Sequence, residues 1–269
     1  MDTNSAAKSP ALPAWPRTDR RFGFVRWLLA LLALAQAASA QIGNPAQNRA
    51  PAGLWVGEVT LNAVATLVAP SDAVPTSDTA GFRLLVHVGA DGTTQLLKDA
   101  TIATVTDGKV HRTVLATDAK APRIQPVVAD GKPLLRRFGT VAYDWDGTGT
   151  EAHRKRMKGN LGKSSTCAVS LTSSPANATN PFRHPYHPDH QQGLTFIRTV
   201  AITLPAADPA DPNNDGVLSL TGTYEEYVRG ILPLNDPARP TRPPEIRVKG
   251  TVVLRRVSDI AIIDDFPAS

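Results

Sequence analysis

The sequence predicts an all-β fold, an antiparallel β-sandwich or barrel of roughly nine strands with long proline-rich loops. Short runs rich in Val, Ile, Leu and Thr alternate apolar with polar residues, as in strands that bury one face. Turn residues separate these runs, and no stretch after residue 40 has the helical period of about 3.6 residues. The 23 prolines of the 269-residue chain also disfavour helices.

The first predicted strand, residues 54–64, shows the alternation clearly. Trp55, Val59 and Leu61 fall on one face with Gly57 between them, and polar side chains fall on the other face. This pattern predicts a half-buried strand at the start of the domain.

The other predicted strands share this composition and are bounded by turn residues. They cover residues 82–88, 93–105, 113–116, 139–143, 168–172, 195–204, 217–230 and 245–257. Asp91-Gly92 predicts a hairpin turn, because glycine accepts the positive φ that such turns need. Residues 153–163 could alternatively form a short helix, although glycines interrupt this segment. The irregular segments 173–192 and 232–244 are long enough to be functional loops, and we expect the second to be a stiff surface linker.

The first forty residues have the three parts of an export leader: a basic flank, a short apolar core and small residues before a cleavage point. These parts are Arg17, Arg20, Arg21 and Arg26, then residues 27–35, then Ala38-Ser39-Ala40 ahead of Gln41. We predict a signal peptide over residues 1–40, a flexible mature N-terminus over 41–52 and a single β-rich domain over 53–269. The mature protein is then secreted or periplasmic.

An uncleaved membrane anchor is the alternative for the leader. Residues 22–40 approach the roughly 20 apolar residues that cross a bilayer. Gln36 and the small residues after it argue against this, so we expect no transmembrane span once the leader is removed.

Charge and cysteine content exclude several functions. The leader contributes five basic and two acidic residues to the net charge of +5, which leaves about +2 for the rest of the chain. Nucleic-acid binding needs a clustered basic face, so we predict no nucleic-acid partner. Cys167 is the single cysteine, which rules out an intrachain disulfide. Its apolar surroundings predict a buried free thiol, with a catalytic or dimerising thiol as the alternative.

The most unusual segment carries His184, His187 and His190 at intervals of three residues, separated by prolines. In a polyproline II helix, these histidines would share one face about 9 Å apart, too widely spaced for one metal ion. A turn at Pro188-Asp189 would instead bring His187, Asp189 and His190 together. One interpretation is therefore a surface zinc or copper site completed by a residue from elsewhere.

The other interpretation of this segment is an ordered proline-rich loop. In that case Phe182 and Tyr186 pack onto the sheet, and the histidines hydrogen-bond to backbone carbonyls. Both interpretations place a distinctive polar surface on a long loop, where binding residues are common.

Four segments carry a resemblance to known sequences. They are GLWVGEVTL (residues 53–61), FRLLVHVGADGTTQLLKD (82–99), NPFRHPYHPDH (180–190) and GTYEEYVRGI (222–231). They resemble uncharacterised modules of exported bacterial proteins, for which no activity is established. The resemblance implies a shared fold and export and carries over no catalytic residue. The chain departs from the pattern after His190, where Gln191 and Gln192 replace an acidic residue and an asparagine.

A second candidate metal site follows the pattern of a calcium loop. Asp211, Asn213 and Asp215 stand at positions 1, 3 and 5, ahead of Gly216. The twelfth position, where calcium loops place a bidentate glutamate, is Gly222. The alternative is an ordinary polar turn, in which Asp, Asn and Gly are common.

The remaining candidates lie next to one another in sequence. Asp144 and Asp146 flank Trp145, and carboxylates two residues apart on a strand share a face about 7 Å apart. Such a separation is compatible with a glycosidase pair. The basic cluster 153–158, which includes Arg154 and Lys155, would suit anionic envelope polymers or lipid headgroups, or a solvated loop.

These observations predict an exported, non-catalytic binding or structural module of the cell envelope or secretome, with an unknown envelope or extracellular ligand. The predicted contact surface comprises Phe182, Tyr186, Asp144, Trp145, Arg154 and Lys155. The alternative is a metal-binding protein or metal-dependent hydrolase that uses the histidine segment. The sequence contains no G-x-S-x-G or H-E-x-x-H pattern to support a specific hydrolase class.

Overall fold

The computed structural model confirms an all-β fold. It describes residues 50–66, 74–75, 80–117, 124–140, 144–180, 182–183, 193–230 and 245–264. The predicted leader, the histidine segment 184–192 and the whole of the predicted linker 232–244 lie outside these ranges. Within the described part of the chain, no helix has the length and apolar character needed to span a membrane.

The described strands pair antiparallel throughout. In chain order they are β1 Gly53–Thr66, β2 Val74–Pro75, β3 Gly81–Val88, β4 Thr94–Leu97, β5 Asp99–Asp107, β6 Val110–Ala116, β7 Val128–Ala129, β8 Lys132–Pro133, β9 Leu135–Gly139, β10 Arg154–Arg156, β11 Lys158–Gly159, β12 Thr166–Ser173, β13 Phe196–Thr203, β14 Ser219–Arg229 and β15 Ile246–Ser258. One short 3₁₀ helix, Gly149–Ala152, precedes β10.

The main sheet contains nine strands in the order β10-β4-β3-β1-β15-β14-β13-β12-β11, with β2 paired beside β1. It curls into a nearly closed barrel. Met157 alone separates β10, which pairs with β4 at one edge, from β11, which pairs with β12 at the other. One extended segment therefore bridges both edges. Closure of this kind removes the exposed edges that invite association with other chains.

Apart from one insertion and the short strand β2, the barrel is a meander of chain neighbours in which the first strand, β1, also pairs with the last strand, β15. The insertion lies between β4 and β10 and contains the three-stranded sheet β6-β5-β9 and the hairpin β7-β8. At one end of the barrel β4, β12 and β14 end, and β13 and β15 begin. We call this end the mouth. The long connections β4 to β10, β12 to β13 and β14 to β15 all leave from it.

Alternation along the strands fills the barrel with apolar side chains. Trp55, Val59, Val200, Val252 and Leu254 belong to one cluster of buried residues, each at most 2% exposed. Burial of each such side chain contributes about 1.5–3 kcal/mol relative to exposure. The predicted inward face of the first strand is therefore confirmed, including Leu61, which packs against this cluster.

Gly57 has a steric role within this core. A Cβ at position 57 would lie 2.5 Å from Cδ1 of Leu84 and 2.9 Å from Cδ2 of Leu254. These distances are well inside van der Waals contact, so the two leucines can meet across β1 because residue 57 has no side chain.

A second cluster lies on the outer face of β1, β3 and β4. Leu54, Leu85 and Leu97 pack there against Leu115 of the inserted sheet and Ile263 near the C-terminus. The first barrel strands thus bury both faces. The inserted sheet is anchored to the barrel by apolar contact as well as by chain connectivity.

The structure corrects three local predictions. The predicted strand 93–105 is broken at Lys98, and its two halves belong to different sheets. Strand β9 ends at Gly139, where a strand was predicted to begin, and residues 141–143 lie outside the described ranges. Residues 154–159 form the closing strands and not a short helix. In each case pairing with distant strands outweighs local sequence preference.

Candidate functional site

A cavity of about 790 Å³ opens at the mouth of the barrel. Its wall comes from the ends of β12, β13 and β14 and from the connections that leave the mouth. The lining includes five charged side chains and one histidine, namely Lys98, Asp99, Asp144, Arg198, Glu226 and His153. This contrasts with the apolar filling of the rest of the barrel.

Arg198 and Glu226 form an ion pair at the cavity wall. Both Nε and Nη2 of Arg198 donate to the carboxylate, with Nη2 3.1 Å from Oε2. The Tyr224 hydroxyl donates to the same Oε2 at 2.6 Å. The side chain of Glu226 is only 4% exposed and that of Arg198 19%. The pair is therefore largely removed from water, where charges require close partners.

Strand register explains how these residues meet. Tyr224 and Glu226 are two apart on β14, so both point into the barrel. On the neighbouring strand, Arg198 lies directly opposite Val228, and Val200 directly opposite Glu226. Arg198 is thus a diagonal neighbour of Glu226 on the same face, within reach of a long side chain.

Lys98 and Asp144 form a second ion pair in the cavity lining. Lys98 Nζ donates to Oδ1 of Asp144 and to the Trp145 carbonyl at 3.0 Å, and it lies 4.7 Å from the Trp145 ring centroid. Thr179 donates its hydroxyl to the other carboxylate oxygen of Asp144. Burial opposes ionisation of Asp144, but these donors outweigh it, so its pKa lies below the ordinary value.

A third pair joins the insertion to the start of β10. Nδ1 of His153 lies 3.5 Å from Oδ2 of Asp99. This distance exceeds that of a good hydrogen bond, and the contact is an ion pair only when His153 is protonated. His153 follows the 3₁₀ helix directly, and its carbonyl accepts a hydrogen bond from the Lys98 amide. A backbone hydrogen bond therefore connects the second and third pairs at the mouth.

Asn180 organises the connection between β12 and β13. Its side-chain amide donates to the carbonyls of Ser173, at 3.2 Å, and Leu194, at 2.9 Å, while its oxygen accepts the Phe182 amide at 2.7 Å. Asn180 is only 2% exposed. Phe182 packs edge-on against Phe196, with ring centroids 5.8 Å apart. This network positions the Phe182 and Phe196 rings at the cavity, and we call these two rings the aromatic lip.

The predicted contact residues fall in different places. Asp144 and Phe182 both line the cavity, and Trp145 packs beneath Lys98. Arg154 lines a separate hollow of about 330 Å³ that also contains His87. Lys155 pairs with the exposed carboxylate of Glu151 at 3.1 Å.

Tyr186, His184, His187, Asp189 and His190 lie outside the described residues. The two described ends of that segment approach closely. The Leu194 amide donates to the Phe182 carbonyl at 2.8 Å. The histidine segment thus leaves and rejoins the described chain at the aromatic lip of the cavity.

The candidate calcium residues form successive turns. Oδ1 of Asp215 accepts the amides of Val217, Leu218 and Ser219 at 2.7–2.9 Å. Burial opposes its ionisation, but these three donors prevail and lower its pKa. Within the described ranges, no group of three or more His, Cys, Asp or Glu side chains is arranged to hold a metal ion.

The Asp211 and Asn213 side chains also take part in these turns. Asp211 Oδ1 accepts the Asn213 amide at 2.8 Å, and Asn213 Oδ1 lies 3.4 Å from Nη2 of Arg255. These contacts account for the turn chemistry of the segment without a bound ion. Calcium binding here stays a prediction from the sequence.

Cys167 is buried in the barrel interior, as the sequence predicted. Its thiol donates to Sδ of Met157 at 3.5 Å. Burial raises the pKa of the thiol to about 12. The thiolate is therefore strongly disfavoured, and the group lacks the surroundings of a reactive cysteine.

Sequence reasoning did not identify Lys98, Arg198 or Glu226 as site residues, and it included His153 only within the basic cluster 153–158. A signal for Arg198 was present in the sequence. Phe196, Val200 and Ile202 alternate as apolar residues, and Arg198 interrupts that face. A charged residue on an apolar face predicts a buried pair or a site.

Comparison with known proteins gives no relative from which a function could be inferred, so function is inferred from the cavity. A scan against protein-family models finds no match, and a search of curated proteins finds no significant match.

Proposed function

We propose that this chain is an exported, non-catalytic binding module of the cell envelope or secretome that holds a small polar molecule in the mouth of its barrel. The observation that carries this proposal is the Arg198–Glu226 pair, reinforced by Tyr224, in the cavity wall. The cavity volume of about 790 Å³ falls within the range of small-molecule sites, about 300–1,000 Å³.

Stability alone does not account for these charges. Replacing a buried ion pair by well-packed apolar residues is often neutral or stabilising, by about 1–4 kcal/mol. Below the mouth, the barrel interior is instead filled with apolar side chains such as Val200 and Ile202. Charged groups concentrated at the cavity are therefore better explained by recognition of a ligand.

Export rests on the leader pattern in residues 1–40. The test is to express the full chain in a bacterial host and analyse the exported protein by mass spectrometry. We expect an N-terminus at Gln41. Retention of residues 1–40 on a membrane-associated protein would favour the anchor alternative and contradict a freely diffusing module.

A cavity-blocking variant tests the binding proposal. Val228 lines the cavity and Val228→Trp would fill it without removing a charged pair. Thr223→Trp places the same ring on an exposed outward position of the same strand and serves as the control. We expect compounds from a panel of small polar metabolites to raise the melting temperature of wild type and Thr223→Trp, but not of Val228→Trp. Stabilisation of all three proteins alike would contradict a site in the barrel mouth.

The metal-binding or metal-dependent hydrolase alternative stays a prediction for His184, His187 and His190. Its test is metal analysis of the purified protein by mass spectrometry. Stoichiometric zinc or copper that disappears in a folded variant with all three histidines changed to alanine would support it. An unchanged melting temperature in chelator, with no bound metal, would count against it.

A further inference from the structure

We propose that the ligand in the barrel mouth is an uncharged carbohydrate of one or two sugar rings. This inference rests on the proposed binding function and names the chemical class of the ligand. Three properties of the cavity lead to it: the pairing of its charges, the mixture of its hydrogen-bonding groups and the position of its aromatic rings.

Four of the five charged side chains in the cavity lining are paired with one another, Lys98 with Asp144 and Arg198 with Glu226. The fifth, Asp99, lies against His153, which carries a charge only when it is protonated. An ionic ligand would have to compete with one of these existing partners, and a largely buried charge left without its partner is costly. A neutral ligand can add hydrogen bonds while the pairs persist. The pairing therefore favours an uncharged molecule.

The same groups retain capacity for further hydrogen bonds. Lys98 uses two of its three N–H donors within the described residues, on Asp144 and on the Trp145 carbonyl. A carboxylate offers about four acceptor sites. Asp144 fills three of them with Lys98, Thr179 and the Trp145 amide. A donor and an acceptor thus lie side by side.

Sugar hydroxyls suit a donor and an acceptor that lie side by side, because each hydroxyl both donates and accepts. A vicinal diol could accept from Lys98 with one hydroxyl and donate to Asp144 with the other. Thr140 and Ser173 add further hydroxyl-bearing side chains to the lining. Charge-assisted hydrogen bonds of this kind are stronger than those between neutral groups.

Apolar side chains also line the same cavity. Phe182, Phe196 and Val228 all line it. The two rings meet edge to face at an interplanar angle of 84°. An aromatic face carries negative quadrupolar charge and attracts the weakly positive C–H groups of a pyranose face. The lining therefore contains groups that suit sugar hydroxyls and groups that suit ring C–H groups.

The test is calorimetric titration of the full exported protein with defined probes. The neutral probes are glucose, galactose, mannose, N-acetylglucosamine, maltose and cellobiose. Glucuronate, glucosamine and glycine betaine present an anion, a cation and a zwitterion of similar size. We expect at least one neutral sugar to bind, and its affinity to fall by about tenfold or more in Val228→Trp but not in Thr223→Trp.

Salt dependence provides an independent readout. Raising the salt from about 0.01 M to 1 M shortens the screening length from about 30 Å to 3 Å. We expect the affinity for the neutral sugar to change by less than about twofold over this range.

The outcomes separate the two proposals. Preferential binding of a charged probe at the Val228 site would overturn the carbohydrate assignment and leave the binding function standing. The same conclusion would follow if no sugar bound while another polar metabolite bound to wild type and not to Val228→Trp. Binding of nothing in the mouth, by sugars or by the metabolite panel, would overturn both.

Discussion

Arg198 donates two hydrogen bonds to the carboxylate of Glu226 in a barrel whose interior below the mouth is filled mainly with apolar side chains. The two residues come from neighbouring strands and lie 28 positions apart in the chain. Their pairing places an oriented charge pair at the wall of the polar cavity in the barrel mouth. The first prediction tests its contribution to stability.

Glu226→Gln should lower the free energy of unfolding by about 3 kcal/mol, because it leaves the Arg198 guanidinium without its counter-charge in a largely buried position. The neighbouring residue gives a matched control. The Glu225 side chain is 34% exposed and pairs with Arg247 at 3.0 Å on the outer face. Glu225→Gln should cost about 1 kcal/mol or less. Urea unfolding measures both, and equal losses would contradict a special role for the inner pair.

Asn180→Ala should destabilise the protein by about 2–3 kcal/mol, because it removes donors from two carbonyls and an acceptor from the Phe182 amide. Hydrogen exchange should accelerate at the Phe182 and Leu194 amides, which the network holds in place. Asn177→Ala removes a partly exposed turn residue of the same connection and is the control. Unchanged exchange in Asn180→Ala would show that other contacts hold the lip.

Asp144→Asn should change the acid dependence of stability. The folded pKa of Asp144 lies below its unfolded value of about 3.9, so ionised Asp144 stabilises the fold above that pH and the gain is lost as pH falls through the folded pKa. The variant should therefore be less stable than wild type by about 1 kcal/mol near neutrality, and the difference should shrink below about pH 4.

Urea titrations between about pH 2 and 7 measure this difference. Glu58→Gln, at an exposed carboxylate of β1, is the control. A gap between wild type and Asp144→Asn that stays constant down to the lowest pH would show that the Lys98 pair does not act through ionisation of Asp144.

Cys167 should be inert in the folded protein. Its pKa of about 12 and its buried position leave very little accessible thiolate at pH 8. We expect a disulfide reagent such as Ellman's to label the native protein at least about a hundred times more slowly than the protein in denaturant, where one thiol per chain should react. Rapid labelling under native conditions would revive the alternative of a reactive or dimerising thiol.

Local alternation was sufficient to predict the strands that carry the barrel. Trp55, Val59 and Leu61 were assigned to the inner face because side chains in a strand point alternately to its two sides. The same rule explains Val252 and Leu254 on β15. Helices were excluded by the absence of their period and by the scattered prolines.

The residue pattern within a single segment did not predict which strands pair with one another. Residues 154–159 are mostly basic, and only pairing with β4 and β12 makes them the closing segment of the barrel. Likewise, nothing in the run 93–105 marks Lys98 as a break between two sheets. Both features arise from hydrogen bonds to residues far away in the chain.

The sequence by itself determined that this chain forms strands, which face of each strand is apolar, and that Cys167 is buried without a disulfide partner. The tertiary structure alone decided which charged groups meet. Lys98 and Asp144 are 46 positions apart and share a cavity because the barrel brings the ends of distant strands to one mouth. The periodicity of a strand shows which of its faces is buried. A binding site depends instead on contacts between side chains of different strands, and these contacts form only when the sheet closes.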